Sequence, residues 1–387
     1  MTPWSAAAAR RKFTLTLSPA DRARVEANFA PLARDAAGLF DADAVFDGGG
    51  VLGLAFLGAA RCCADVGVRW HGLAGSSGGA LAAALLAADL NPDQIEEAVG
   101  RADFKQFLGK KTGRAAADWE PGDDLARPVA LLTTLALAHD LGRFSADPLR
   151  GWLDEVLKWG GKPTFGDVWD RSKAAPDRQL RVVVSDLTRG EMRVLPDDLE
   201  PPRPGARPPR PGLSARQRGF SVAEAVRLSM SLPFVFTPGF IDHPTDGRCL
   251  LADGGVLGNF PVWLFDADAP GKPPARPTFG FRLVDRADDR PRAVAGVEDL
   301  LGVVLRAATV ARDRRHPSPL HRGRVVDIDL TGLGLSAAQF GLTNDQKDQL
   351  YARGYQAAKD FFLGRWSWAK HLEARGFAAG KPGFVSA

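Results

Sequence analysis

Short apolar runs alternate with stretches of helical periodicity, and glycine clusters mark the changes between them. Residues 1 to about 40 mix Ala, Arg and charged groups. Within them Ser18-Pro19-Ala20-Asp21 opens a helix, with Ser18 as cap, Pro19 in the first turn and Val25, Phe29 and Leu32 on one face. This segment is expected to be an N-terminal helical extension packed on the core. Ala44-Val45-Phe46 reads as a short buried strand that ends in Asp47-Gly48-Gly49-Gly50-Val51-Leu52-Gly53 and leads into a helix through about Cys63. Val68 to Ala74 reads as a second strand, which turns sharply at Gly75-Ser76-Ser77-Gly78-Gly79 into the apolar segment Leu81 to Leu90. Strand, glycine-rich turn and helix, used twice in succession, predict a parallel α/β sheet.

Further along, Asn91-Pro92-Asp93-Gln94 opens another helix. The apolar run Val129 to Ala138 reads as a core helix, with a lid that meets lipid as the alternative, and Asp147-Pro148 starts a helix carrying Trp152, Leu153, Val156 and Leu157. Leu180 to Leu187 and Met192 to Leu195 are expected to pair across Thr188-Arg189-Gly190. Pro196 to Gly219, rich in Pro and Arg without an apolar period, reads as a loop and a solvated insertion. Order returns with a capping box at Ser221-Val222-Ala223-Glu224 and a helix through about Met230. The remaining predictions are Leu250-Leu251-Ala252 before the turn Asp253-Gly254-Gly255, a strand Thr278 to Val284, a helix near Val297 to Val310, a strand Arg324 to Leu330, and a long helix capped at Thr343.

Composition changes this picture little. With 387 residues, 45% of them apolar, the chain supports a substantial core. A net charge of +4 is too small to imply a nucleic-acid partner, and a weak attraction to an anionic membrane face is compatible with it. Cys62, Cys63 and Cys249 form neither a disulfide framework nor a recognisable metal-ligand spacing, and a reducing compartment fits best. No apolar run approaches the roughly 20 residues of a membrane span. The expected location is cytoplasmic with peripheral membrane contact, and signal-independent secretion stays open.

Three stretches carry chemistry. Gly75-Ser76-Ser77-Gly78-Gly79 fits G-x-S-x-G, in which glycines admit a strained elbow that lifts the hydroxyl of Ser77 away from its own helix; a plain turn with a serine cap is the alternative. Gly48 to Gly53 matches G-x-G-x-x-G, but the acidic residue a dinucleotide site requires at the end of the next strand is replaced by the serine elbow. The other use of such a loop is to aim the amides of Gly48, Gly49 and Gly50 at one developing oxyanion. A serine nucleophile needs a base. His316 and His321 lie in a polar stretch and offer one in a triad, and Asp253 offers itself as a direct partner of Ser77; a hydrogen-bonded turn aspartate is the structural alternative for Asp253.

Taken in order, the glycine loop, the elbow, the block Ala225 to Pro238, and Asp253-Gly254-Gly255 with Asn259-Phe260-Pro261 resemble the patatin-like phospholipase family from about Ala44 to Val262. The resemblance implies a three-layer α/β/α fold with a mostly parallel central sheet, and metal-independent cleavage of acyl esters in membrane lipids. It implies a Ser–Asp dyad without catalytic His: Ser77 as nucleophile, Asp253 as base and the amides of Gly48 to Gly50 as oxyanion donors. It divides the chain into an extension over 1–40 and one domain over 41–387. The implied partners are a membrane phospholipid or other acyl ester and, transiently, the membrane surface; no protein activator is assigned. Leu52 stands where family members often carry Lys or Arg. A His-triad esterase or peptidase, and a lipid-binding module whose dyad has lapsed, are the rival readings.

Overall fold

The computed structural model describes residues 3–30, 32–109, 142–169, 178–201, 213–258, 260–266, 273–285, 321 and 323–377. Its helices are α1 (Ala6–Lys12), α2 (Pro19–Phe29), α3 (Leu54–Val66), α4 (Gly78–Ala87), α5 (Pro92–Arg101), α6 (Asp147–Trp159), α7 (Phe165–Val168), α8 (Ala215–Gly219), α9 (Val222–Ser229), α10 (Asn344–Asp360) and α11 (Trp368–Ala374). Its strands are β1 (Phe40–Phe46), β2 (Val68–Ser76), β3 (Gly142–Phe144), β4 (Gln179–Asp186), β5 (Glu191–Leu195), β6 (Phe234–Phe236), β7 (Gly239–His243), β8 (Gly247–Asp253), β9 (Thr278–Val284) and β10 (Val325–Asp329).

Eight described strands form one sheet in the order β10-β9-β1-β2-β4-β8-β7, with β5 also on β4. The pairs from β10 to β4 are parallel, and β4–β5, β4–β8 and β7–β8 are antiparallel. Helices cover both sides, so the fold is α/β with a mostly parallel sheet, as expected. Alternation along β1 sorts its side chains between the faces. Ala44 and Phe46 join the main core, where Phe46 stacks 4.9 Å from Phe281, while Val45 meets Phe260 and Val262 on the other face.

The N-terminal helices reach this core through aromatic and ionic contacts. Phe29 of α2 is fully buried, with ring centroids 4.5 Å from Phe40 and 4.5 Å from Trp366. Arg10 of α1 and Tyr351 of α10 both bond Glu96 of α5, and Trp4 Nε1 donates to Asp348 at 2.9 Å. Ser18 and Asp21 close the capping box of α2.

Several expectations change. β1 begins at Phe40 rather than Ala44, because Phe40 to Ala42 already pair with Val68 to Trp70. Strands β6 and β7 follow Pro233, where the sequence signalled only a helix end. The Pro196 to Gly219 stretch is not wholly loop: α8 forms at its end through a capping box of Ser214 and Gln217, and Gln217 Nε2 also donates to Pro196 O and Asp197 O at 3.2 and 3.1 Å, drawing the two ends of the stretch together. Only half of the predicted box at α9 exists. Ser221 accepts from Glu224 N, but the Glu224 carboxylate turns to Arg227 at 2.6 and 2.9 Å, a charge-assisted pair that outcompetes a neutral amide. The predicted helices Val129 to Ala138 and Val297 to Val310, and His316, lie outside the described residues. No described helix is long and apolar enough to cross a membrane.

Truncating Phe29 removes the ring that joins α2 to the sheet. Phe29→Ala is expected to lower unfolding stability by about 3–5 kcal/mol, measured by urea denaturation.

Candidate active site

Strand β4 sets the geometry. A strand has two edges, and β5 fills one of them along Val182 to Asp186. Parallel β2 and antiparallel β8 therefore meet end to end along the other. Ser76, the last residue of β2, pairs with Val183, and Asp253, the last residue of β8, pairs with the next residue, Val184. The chain leaves β2 at Ser77 and leaves β8 at Gly254, so the register of β4 alone brings Ser77 and Asp253 to one point.

Ser77 sits at φ +52°, ψ −124°, a backbone conformation that costs a non-glycine residue about 1–3 kcal/mol. Its hydroxyl does not cap α4. It donates to Asp253 Oδ2 at 2.6 Å, which decides against the plain serine cap. The elbow needs close backbone approach: a Cβ on Gly79 would lie 2.3 Å from Asp47 O. The backbone amide of Ser77 donates to Ser229 Oγ at 2.8 Å, and Ser229 Oγ donates to Val183 O at 2.6 Å. Ser229 thus joins the elbow to β4. It lies inside the block Ala225 to Pro238, yet nothing in the sequence distinguishes its hydroxyl from those of Ser231 or Ser221.

Asp253 is both turn residue and partner. Its Oδ1 accepts from Gly255 N at 2.8 Å, its own amide donates to Ser231 O at 2.9 Å, and Oδ2 is left to Ser77. Burial pushes its carboxyl up to about 6, against the opposing pull of the Ser77 and Gly255 bonds. Of the candidate histidines, His321 packs its ring 5.5 Å from that of Phe260, and burial lowers its pKa.

The glycine loop lies beside the elbow, as the parallel pairing of β1 and β2 requires. Gly78 packs against the backbone of Gly50, where a Cβ on Gly78 would come within 2.3 Å of Gly50 O. Gly50 has φ +53°, and a Cβ there would meet Ala337 O at 2.2 Å, so only glycine fits. Val51 N donates to Ala337 O at 3.0 Å, which braces the loop from the C-terminal part of the chain. The amide of Gly48 donates to Asp47 Oδ1 at 2.9 Å, whereas no bond from the amides of Gly49 or Gly50 occurs among the described residues. Leu52 is half-buried against the core.

An apolar cleft of about 480 Å³, open to solvent, begins at Gly50 and Gly78 and is walled by Leu81, Leu85, Phe107, Trp152, Met230 and Phe340. Phe340 and Ala337 lie beyond the motif-bearing stretch, and their part in the site was not legible in the sequence. Among the described residues no cluster of three or more His, Cys, Asp or Glu side chains could hold a metal ion.

The fold thus gathers a serine on a strained turn between a parallel strand and a helix, a buried carboxylate and a glycine loop at one place. Residues 44–266 match the family described as Patatin-like phospholipase. The chain belongs to the patatin-like phospholipase family, and membership supports lipid hydrolase activity. It is similar to the uncharacterized protein YqhO of Bacillus subtilis (strain 168), with 31% identity over 328 residues, 84% of this chain and 99% of that one. Among solved structures it is similar to VipD from Legionella pneumophila, with a TM-score of 0.49 and 16% identity over 86% of this chain and 70% of that one. It is also similar to ExoU of the Pseudomonas aeruginosa type III secretion system, solved with SpcU, with a TM-score of 0.44 and 17% identity over 85% of this chain and 53% of the compared one.

Ser229→Ala strands the buried amide of Ser77 and frees the elbow to relax. Ester hydrolysis is expected to lose about tenfold or more in kcat with KM little changed, and thermal stability to fall with it, an unpaired buried donor costing about 1–3 kcal/mol. Steady-state kinetics and a melting curve on the same preparation check both.

Proposed function

We propose that this protein is a phospholipase A-type acyl hydrolase that cleaves fatty-acyl esters of membrane glycerolipids through Ser77 and Asp253, without a metal or cofactor. Asp253 accepts the proton of Ser77 as Oγ attacks the ester carbonyl. The amides of Gly49 and Gly50 stabilise the oxyanion, joined by Gly48 once Asp47 releases it. Collapse breaks the ester C–O bond, and the protonated Asp253 returns its proton to the departing lyso-lipid oxygen. Water, deprotonated by Asp253, then releases the fatty acid and restores Ser77.

The observation that supports this most directly is the 2.6 Å bond from Ser77 Oγ to Asp253 Oδ2, made by a serine held in a strained elbow. The apolar cleft beginning at Gly50 and Gly78 favours an acyl chain over a peptide side chain or a small polar ester. The proposed substrate lies in a membrane, so contact with the bilayer is transient and peripheral, on the cytoplasmic side. Nucleic acid has no part in this reading, and no activator is assigned.

Incubation with phospholipid vesicles followed by lipid mass spectrometry tests it, with Ser77→Ala as control. Ser77→Ala and Asp253→Asn are each expected to lower the rate by about a thousandfold or more, and His321→Ala to leave it unchanged. Full activity in Asp253→Asn together with loss in a His316 or His321 variant would replace the dyad by a triad. Failure of a serine-directed fluorophosphonate to label the wild type would favour a lapsed lipid-binding module.

The pH profile follows from Asp253. The base must be ionised, so kcat/KM is expected to rise with pH through about 6 and level off above it. Folding raises this carboxyl from 3.8, so the folded chain holds that proton more tightly than the unfolded chain, and stability attributable to Asp253 declines as pH rises toward and through about 6. Asp253→Asn is therefore expected to melt several degrees higher than wild type at pH 8, read by calorimetry.

A further inference from the structure

A second cleft lies at the opposite end of the sheet. It opens beside the first residues of β2 and the residue before β4, between the end of α4 and the start of α5, whereas Ser77 lies where β2 ends. With its open mouth it encloses about 900 Å³. One wall is apolar, built by Leu57, Trp70, Leu86, Leu90 and Ile95, and three arginines, Arg61, Arg69 and Arg178, complete it.

The arginines differ in what they still have to offer. Arg61 is held by Asp93 at 2.6 Å and Asp65 at 3.2 Å, and Arg69 by Asp41 at 2.8 Å and by Asp35. Arg178 has only long contacts, 3.3 Å to Asp89 Oδ1 and 3.3 Å to Leu86 O, both from one terminal nitrogen. Its Nε is buried with no hydrogen-bond partner among the described residues. A buried guanidinium N–H without an acceptor is costly and rare, and the ordinary remedy is an anion or a water drawn in beside it. Burial lowers the pKa of Arg178 and the charge of Arg69 adds to this, with Asp89 pulling the other way without cancelling them. Glu96, which also lines the cleft, is already taken by Arg10 and Tyr351 and does not supply the missing acceptor.

We propose that this cleft binds the anionic head of a single-chain amphiphile on Arg178, with the alkyl chain lying along Leu57, Trp70, Leu86 and Leu90. The apolar wall favours a chain-bearing occupant over a bare inorganic anion, and the guanidinium of Arg178 in the lining favours an anionic head over a neutral one. The two products of the proposed hydrolysis, a fatty acid and a lyso-phospholipid, both have this chemistry, the first through a carboxylate and the second through a phosphate. Their relevance as products rests on that reading; the binding itself does not.

The test is calorimetric titration of the full chain carrying Ser77→Ala with dodecanoate, dodecyl phosphate, dodecanol and inorganic phosphate, each below its micelle concentration where it has one. Dodecanoate or dodecyl phosphate is expected to bind at a site where Arg178→Gln weakens it by about tenfold or more, the loss expected of a charge-assisted bond, and the stronger of the two identifies the head group. Dodecanol is expected to bind more weakly and to be indifferent to Arg178→Gln, and inorganic phosphate to compete only at far higher concentration. Leu90→Trp, which thrusts an indole into the path of the alkyl chain, is expected to weaken this binding by about tenfold or more. It carries the test by itself should Arg178→Gln fail to fold, melting curves serving to check each variant. Leu81→Trp, in the cleft beside the elbow, is expected to leave it intact. Affinity unaffected by Leu90→Trp, or lost in Leu81→Trp instead, overturns the proposal. So does phosphate binding as tightly as dodecyl phosphate. Loss of hydrolysis in wild-type protein with this binding retained would count against the proposed function alone.

Discussion

One backbone ladder, that of β4, determines where the chemistry sits. Its consecutive residues Val183 and Val184 pair with Ser76 and Asp253, the last residues of two strands that run toward each other along the same edge. Neither Ser77 nor Asp253 depends on long side-chain reach to find the other. A one-residue slip of β8 against β4 would invert the side chains of β8 between the faces of the sheet and carry the carboxylate away with them. The surrounding contacts reinforce this register: Ser229 Oγ links Ser77 N to Val183 O, and Ser231 O holds Asp253 N. Two costly features, a serine at φ +52° and a buried carboxylate, are thus held by strands and a helix whose apolar side chains are buried.

The same burial gives Asp253 its chemical character. An exposed aspartate is too weak a base to draw a proton from a hydroxyl, which is why so many serine hydrolases interpose histidine. Desolvation brings Asp253 to about 6, close to the ordinary range of imidazole. Under the proposed mechanism, a carboxylate so raised takes the place of the imidazole, and the short bond to Ser77 keeps it aligned. The barrier to this exchange is thermodynamic: the fold must tolerate a charged group that it has stripped of water, and the amide of Gly255 offsets part of that cost.

The glycine loop shows how far the site extends beyond its motifs. Ala337 O receives Val51 N and packs against Gly50, and Phe340 closes the apolar cleft, so a segment more than half the chain away shapes the loop. The two clefts occupy opposite ends of the sheet, a separation that parallel architecture favours because strand starts and strand ends face different loops. The helical layer of α3, α4 and α5 contributes to both, through Leu57 above all.

Local signals in the chain carried the elements and the chemical cast. The caps at Ser18, Asn91 and Thr343, the strand Thr278 to Val284, and the glycines on either side of Ser77 were legible because each is decided by residues within a few positions of one another. The fold class and the pairing of β1 with β2 followed from the same local alternation. The residues by themselves left open whether the serine caps its helix or meets a carboxylate, and whether that partner is Asp253 or a histidine; only the family resemblance pointed to Asp253. The role of Ser229, the loss of the Glu224 cap to Arg227, and the bracing by Ala337 belong to the same set. Those outcomes rest on strand register and on competition between hydrogen-bond acceptors, and neither exists until the chain has folded.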